Sequence, residues 1–180
     1  DALEQPAKQR VVLEAFARYR VLTAHRRGPL GVAGLNRALT GLLRERLAEA
    51  GHWRREGGHW LGQPLLVTVN SYDVGLLNGD TGLVLPLPGG ALGAVFPGDG
   101  PREIRQFTLS RLPDHDDALA MTVHKAQGSQ FERVAFVLAG TPSSIQTREL
   151  AYTAVTRAQN QLARRSEEHT SELQSPECIS

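Results

Sequence analysis

The chain has 180 residues, 41% hydrophobic and 22% charged, with a formal net charge of +1. That length suits one domain, or one domain with a small insertion. No apolar run reaches transmembrane length, and Asp1–Arg10 is polar with no apolar leader, so no membrane partner or export signal is read and a cytoplasmic location is expected.

The first residues enter a helical pattern at once, without an initiating Met, which reads as an N-terminus cut from a longer protein. Over residues 7–19, Val11, Val12, Ala15, Phe16 and Tyr19 form the expected apolar stripe. Arg10, Glu14 and Arg18 form a polar side at i, i+4 spacing. Arg20 to His25 reads as a short strand that opens into Arg26, Arg27, Gly28 and Pro29. Ligands collect at such strand ends in open α/β sheets, so the two arginines are phosphate candidates, with a solvated loop pair as the alternative. Leu35, Leu39, Leu42, Leu43 and Leu47 then give an amphipathic helix of about four turns, ended by Gly51.

His52–Gly62 (HWRREGGHWLG) reads as a connecting loop whose Trp60 packs on a sheet; the competing reading is base stacking with phosphate contact. Pro64–Asn70 is a strand, and Asn78-Gly79-Asp80 is a turn signal. Short apolar stretches at 82–87, 91–96 and 104–109, punctuated by Gly and Pro, predict a small antiparallel β-module over 79–112. Asp114, His115, Asp116 and Asp117 read as an acidic turn rather than a metal site. No metal-binding cluster is expected anywhere in the chain.

The richest stretch is Ala120 to Phe131, AMTVHKAQGSQF. Apolar residues lead into hydroxyl, imidazole, ammonium and amide groups, closed by Gly128. A hydroxyl, a point charge and a Gly that admits backbone N–H groups suit a phosphate chain; a polar strand-to-helix turn is the alternative. Val134 to Ala139 follows as a buried strand, then a Gly/Pro/Ser/Thr loop over 139–147, then a helix opened by Thr147 with Leu150, Ala151, Ala154, Val155 and Ala158 on its apolar face. On that helix Arg148 and Arg157, nine apart, would point to opposite sides. Arg165 to Pro176, RSEEHTSELQSP, resembles a translated sequencing adapter, so residues 165–180 are read as a non-native tail. The tail holds one Arg and four Glu, which leaves residues 1–164 at +4. It also holds Cys178, the chain's one cysteine, so a disulfide scaffold is excluded.

Thr122–Phe131, TVHKAQGSQF, resembles motif V of superfamily 1 helicases, in the form carried by RecD, the alpha subunit of exodeoxyribonuclease V. Arg148–Gln159, RELAYTAVTRAQ, is similar to motif VI, Arg26–Asn36 to the motif IV segment, and Asn78–Gly82 to a further turn of that family. The resemblance implies an α/β fold: a second RecA-like (P-loop-type, 2A) helicase domain over 1–78 and 113–164, with an SH3-like β-barrel insertion at 79–112. It implies ATP and Mg²⁺ as cofactors, held mainly by another domain, since no Gly-x-x-x-x-Gly-Lys-Ser/Thr loop occurs here. It implies Arg157 as the catalytic arginine finger. Arg26, Gln127 and Gly128 would lie beside the nucleotide, and Thr122, His124 and Lys125 on single-stranded DNA. Implied partners are single-stranded DNA and RecB-like and RecC-like (beta and gamma) subunits, in 5′-to-3′ unwinding for break repair and recombination. Alternatives are another RecD-like, Pif1-like or conjugative helicase, or a non-catalytic single-strand-binding module. Three positions depart from the family's pattern: Ala126 replaces a Ser, Gln130 a Glu, and Gln159 a commonly basic residue.

Overall fold

The computed structural model describes residues 4–100, 103–138 and 147–166. Helix α1 (Glu4–Arg18) runs directly into β1 (Tyr19–Thr23), and α2 (Val32–Glu49) follows. Next come β2 (Arg55–Glu56), β3 (His59–Trp60), β4 (Pro64–Val67), β5 (Thr81–Pro86), β6 (Leu92–Pro97) and β7 (Ile104–Thr108). A single 3₁₀ turn (Leu109–Arg111) leads to β8 (His115–Asp117), β9 (Ala120–Thr122), β10 (Phe131–Leu138), α3 (Arg148–Val155) and β11 (Ala158–Ser166). The loop expected at 139–147 falls outside the described residues except for Thr147, and so does the tail from 167 onward.

Among the described residues, four strands form a parallel sheet in the order β11-β10-β1-β9. Parallel strands need crossovers and covered faces, which is why β1 reads as the apolar run Val21-Leu22 and β10 carries Val134 and Phe136 inward. Leu22, Val123, Val134, Phe136, Leu150 and Ala154 share one core. This is the expected α/β architecture with a parallel sheet. β11 was not read from the sequence. Its segment AQNQLARRS is polar and lacks periodicity, yet it pairs with β10 as the sheet's edge through Ser166.

The second layer is an antiparallel sheet in the order β7-β6-β5-β4-β8. It takes in β4 and β8 on either side of the stretch expected for the module, so its strands run from Pro64 to Asp117. The acidic turn is therefore strand β8. There His115 Nδ1 lies 2.7 Å from the Pro113 carbonyl and its ring lies 5.2 Å from that of His59. The Asn78–Gly82 turn is a folding device. Asp80 Oδ2 accepts from Leu77 N (3.0 Å) and from Arg105 Nη2 (3.2 Å). Gly82 leaves room for Phe96, whose ring would lie 2.7 Å from any Cβ added there. Trp60 is buried and stacks on Trp53 at 5.7 Å, as the packing reading expects.

Helix α1 joins the two sheets, but on a different face from the one expected. Val11, Val12 and Tyr19 are 59%, 44% and 50% exposed, whereas Gln9, Leu13 and Arg20 are buried. Arg20 is the second residue of β1, and the helix's inward face, with Gln9, Leu13 and Phe16, is spaced as helically as the apolar stripe. It wins because its polar ends find partners. Gln9 Nε2 donates to the Pro86 carbonyl (2.6 Å) and Gln9 Oε1 accepts from Gln106 (2.6 Å). The Arg20 guanidinium lies 4.2 Å from the Phe16 ring centre and 5.0 Å from that of Phe131, and donates to the Ala118 carbonyl (3.2 Å). Burial pulls Arg20 down to about 10, still charged at neutral pH. On α2 the expected leucine face is split: Leu35, Leu39 and Leu47 are half-buried, Leu42 and Leu43 are exposed, and the buried residue is Asn36.

Candidate functional site

The site is built where β1 and β9 end. Thr23 Oγ1 donates to the Leu30 carbonyl (2.7 Å), folding the Arg26–Pro29 loop back on the strand. Val32 N and Ala33 N donate to the carbonyls of His25 (3.0 Å) and Arg26 (3.4 Å), so the loop supplies acceptors for the first turn of α2. Two glycines make this approach possible. A Cβ on Gly31 would lie 2.3 Å from the Arg27 carbonyl oxygen, and one on Gly34 would lie 2.2 Å from that of Pro29. Gly34→Ala is therefore expected to cost about 2–3 kcal/mol despite alanine's better helix propensity, because backbone must move. Thermal unfolding checks this; a stabilised Gly34→Ala would mean the loop yields freely.

Asn36, on the first turns of α2, clips that helix to the β8–β9 connection. Its Nδ2 donates to the carbonyls of Asp117 (2.9 Å) and Ala120 (3.2 Å), and its Oδ1 accepts from Ala120 N (2.7 Å). Gln63 Nε2 donates to Asp117 Oδ1 (2.8 Å) from the other side. Between α2, β8 and β9 lies a cavity of about 600 Å³. Arg26, Arg37 and Lys125 bring cations to it, Thr122 and Thr40 hydroxyls, Asp116 and Asp117 carboxylates, and Val32, Leu66 and Met121 apolar surface. Thr40 Oγ1 is buried and has no hydrogen-bond partner. A largely apolar cavity that also carries three cations and an unmet hydroxyl suits a ligand with an apolar body and an anionic end.

Beyond β9 the chain coils. Lys125 N donates to Thr122 Oγ1 (3.3 Å), Ala126 N to the Thr122 and Val123 carbonyls (both 3.2 Å), and Ser129 N to the Ala126 carbonyl (3.1 Å). Val123 and Ala126 drop into the core, while His124, Lys125 and Gln127 face outward. Gly128 closes the coil at φ +84°, a conformation that side chains rarely adopt. The apolar Val123 and Ala126, spaced three apart, are what aim the polar groups at solvent.

Arg157 stands at the other end of this coil. Helix α3 is capped by Thr147 Oγ1, which accepts from Leu150 N (3.2 Å), and it ends at Val155. Arg157 thus lies beyond the helix, and the expected opposition of Arg148 and Arg157 across one helix does not apply. Its carbonyl accepts from Phe131 N (2.8 Å). Its Nη1 donates to the Ser129 carbonyl (3.2 Å), and its Nε is buried without a partner.

The fold thus gathers Arg26, Thr122 and Lys125 around one cavity, with His124 exposed beside them. It gathers Arg157 with Ser129, the residue after Gln127 and Gly128. It does not bring Arg26 and Arg157 together. Arg26 follows the C-terminal end of β1 and Arg157 bonds the first residue of β10, and the parallel register puts these at opposite ends of the sheet. Asn36, Arg37, Thr40 and Ser129 were not singled out from the sequence. Asn36 ends a segment that was, but nothing in its spacing announces a buried clip.

Residues 117–163 match the UvrD-like helicase C-terminal domain family. The RecBCD enzyme subunit RecD of Mycolicibacterium smegmatis is 42% identical over 154 residues, covering 86% of this chain and 26% of that protein. The ATP-dependent RecD2 DNA helicase of Deinococcus radiodurans is 36% identical over 140 residues, covering 78% of this chain and 19% of that protein. A crystal structure of Pif1 helicase from Bacteroides with ADP-AlF3 and ssDNA aligns with a TM-score of 0.48 at 16% identity, over 81% of this chain and 40% of that one. The chain spans about a quarter of the length of the RecD relative. Over most of its own length it is similar to RecD subunits of the RecBCD enzyme, and over 117–163 to the UvrD-like helicase C-terminal domain family.

Proposed function

We propose that this chain is part of an ATP-dependent 5′-to-3′ DNA helicase subunit of RecD type, acting in the cytoplasm with RecB-like and RecC-like subunits in recombination and break repair. In this reading it is the second RecA-like domain, and the antiparallel sheet carries its SH3-like insertion. The observation that carries the reading is the single coil from Thr122 to Ser129. One end of it borders the cation-lined cavity and the other holds the Arg157 guanidinium. A segment touching both could tie a grip on the DNA backbone to a charge offered to nucleotide.

Thr122, His124 and Lys125 supply the DNA contacts: a hydroxyl, an imidazole and a point charge on a short rigid turn. Arg26, expected beside the nucleotide, lines the same cavity as Thr122 and Lys125, and in this reading extends their positive edge instead. Gln127 and Gly128 line the nucleotide side, where Gly128 lets backbone N–H groups approach an anion. Arg157 offers a guanidinium to the charge that develops on the transferred phosphoryl oxygens. Its unpaired Nε and its single carbonyl acceptor beyond Thr156 are compatible with that part, since an anion would complete its donor set. ATP supplies the phosphoryl transfer to water that drives the cycle. In this reading Mg²⁺ and most of ATP are held by another domain of the whole protein.

Lys125→Ala tests the DNA half. Removing one phosphate contact should weaken single-strand binding about 3–10-fold and reduce the slope of log K against log salt by about 0.7. An unchanged slope would take Lys125, and the turn with it, off the DNA path.

A further inference from the structure

The geometry points to Gln130 and Gln159 as a matched pair that positions Arg157 by locking the end of the Thr122–Ser129 coil to the start of β11. This rests on the arginine-finger reading above. Three links stitch residues 129–131 to residues 157–159. Arg157 Nη1 donates to the Ser129 carbonyl (3.2 Å), Phe131 N donates to the Arg157 carbonyl (2.8 Å), and Gln159 Nε2 donates to Gln130 Oε1 (3.1 Å). The first aims the guanidinium and the second fixes its main chain. The third bridges the two segments from the side.

The side-chain link falls where the ladder is weakest. Phe131 pairs with Ala158 and Arg133 with Gln161, so the β10–β11 register slips between them. A bulge there leaves the ladder locally disrupted and the strand free to bend. The Gln130–Gln159 bond lies at the N-terminal edge of that slip. Without it, the Ser129 carbonyl and the Arg157 guanidinium would be tied only through each other and one backbone bond. Arg157 Nε is buried and unpaired, so the present arrangement is not the guanidinium's most satisfied one. A coil free to swing would let it settle elsewhere.

Gln130 and Gln159 are also two of the three positions where the sequence departs from the motifs it resembles. An acidic and a basic residue stand there in the pattern; here both are neutral, and here they touch. The two departures meet in one contact, an amide pair that forms its bridge without an ion pair's salt sensitivity.

The test uses the complete protein that carries this chain, with steady-state ATPase at saturating single-stranded DNA, and DNA affinity measured alongside. Gln130→Leu and Gln159→Leu should each lower kcat about 3–10-fold, because a small misplacement of a catalytic group is felt steeply. KM for ATP and DNA affinity should stay within about twofold, the mark of residues that act through another, and a raised KM with kcat kept would overturn the proposal. The double Leu variant should be no worse than either single one, and Gln130→Glu with Gln159→Lys should return kcat to within about twofold at low salt and lose it at high salt. Full activity in both single variants overturns the proposal. So does a double loss equal to the product of the single losses. Arg157→Ala in the same assay separates the two readings. Full ATPase there removes the arginine finger; lost ATPase there, beside unaffected glutamine variants, removes the positioning pair alone.

Discussion

Arg157→Ala in the complete protein is expected to lower DNA-stimulated ATP hydrolysis about a thousandfold while leaving single-strand affinity within about threefold. The size follows from what the side chain would do. A guanidinium that meets phosphoryl oxygens only as their charge develops stabilises the transition state and not the ground state, so its loss falls on kcat. The selectivity follows from where it sits. The cavity that gathers Arg26, Thr122 and Lys125 lies at the opposite end of the parallel sheet, and Arg157 does not line it. The fold should tolerate the change. Arg157 anchors β10 through its carbonyl, which alanine keeps, and the side chain's lost bonds are to the Ser129 carbonyl and the Thr156 hydroxyl. Arg157→Lys should recover little, because one ammonium cannot reproduce a forked guanidinium. ATPase and DNA binding falling together would mean that Arg157 holds the coil in place, and the trans-acting role would be lost. ATPase surviving intact would remove it more simply.

Much of this arrangement was legible in the residues, for reasons that can be named. Arg20–His25 announced a strand by a short β-prone stretch, Val21-Leu22-Thr23, ahead of a Gly-Pro loop, and β1 covers Tyr19–Thr23; the coil after β9 announced itself because polar groups crowd behind the apolar lead-in. Thr147 announced α3 by its capping chemistry, and the helix begins one residue later. What stayed hidden depended on partners distant in sequence. Most of the apolar stripe of α1 lost to the face carrying Gln9 and Leu13 because Pro86 and Gln106 wait opposite, and Arg20 in β1 likewise finds the Ala118 carbonyl, partners about eighty to a hundred residues away. β11 carries no pattern of its own, since an edge strand needs only a ladder to join. The reach of the antiparallel sheet to β4 and β8 likewise depends on a pairing between Leu65 and Asp117 that no local signal states.

Asn36 is the sharpest case of a residue whose weight is invisible in sequence, and it carries the largest expected effect on stability. Asn36→Leu should destabilise the protein by about 3 kcal/mol, a fall in unfolding temperature of roughly 6–12 °C for a domain of this size. The leucine matches the volume but leaves the carbonyls of Asp117 and Ala120 and the amide of Ala120 without partners in a buried setting. Each such group costs about 1–3 kcal/mol, and the three do not add fully because water can reach the side that faces the cavity. Asn36→Asp keeps the acceptor for Ala120 N, loses both donated bonds and adds a buried charge, so it should do no better. The damage should also reach function. β9 has three residues and pairs with β1 alone, and the clip on Ala120 fixes where it starts. Released, β9 would carry Thr122 and Lys125 away from Arg26 and Arg37. Single-strand binding should therefore weaken in Asn36→Leu even well below its unfolding temperature, a loss that an ordinary core substitution of equal cost would not produce. Thermal unfolding together with DNA affinity at a fixed low temperature decides the matter. A variant that is destabilised but binds normally would leave Asn36 a packing residue and free the cavity from dependence on it.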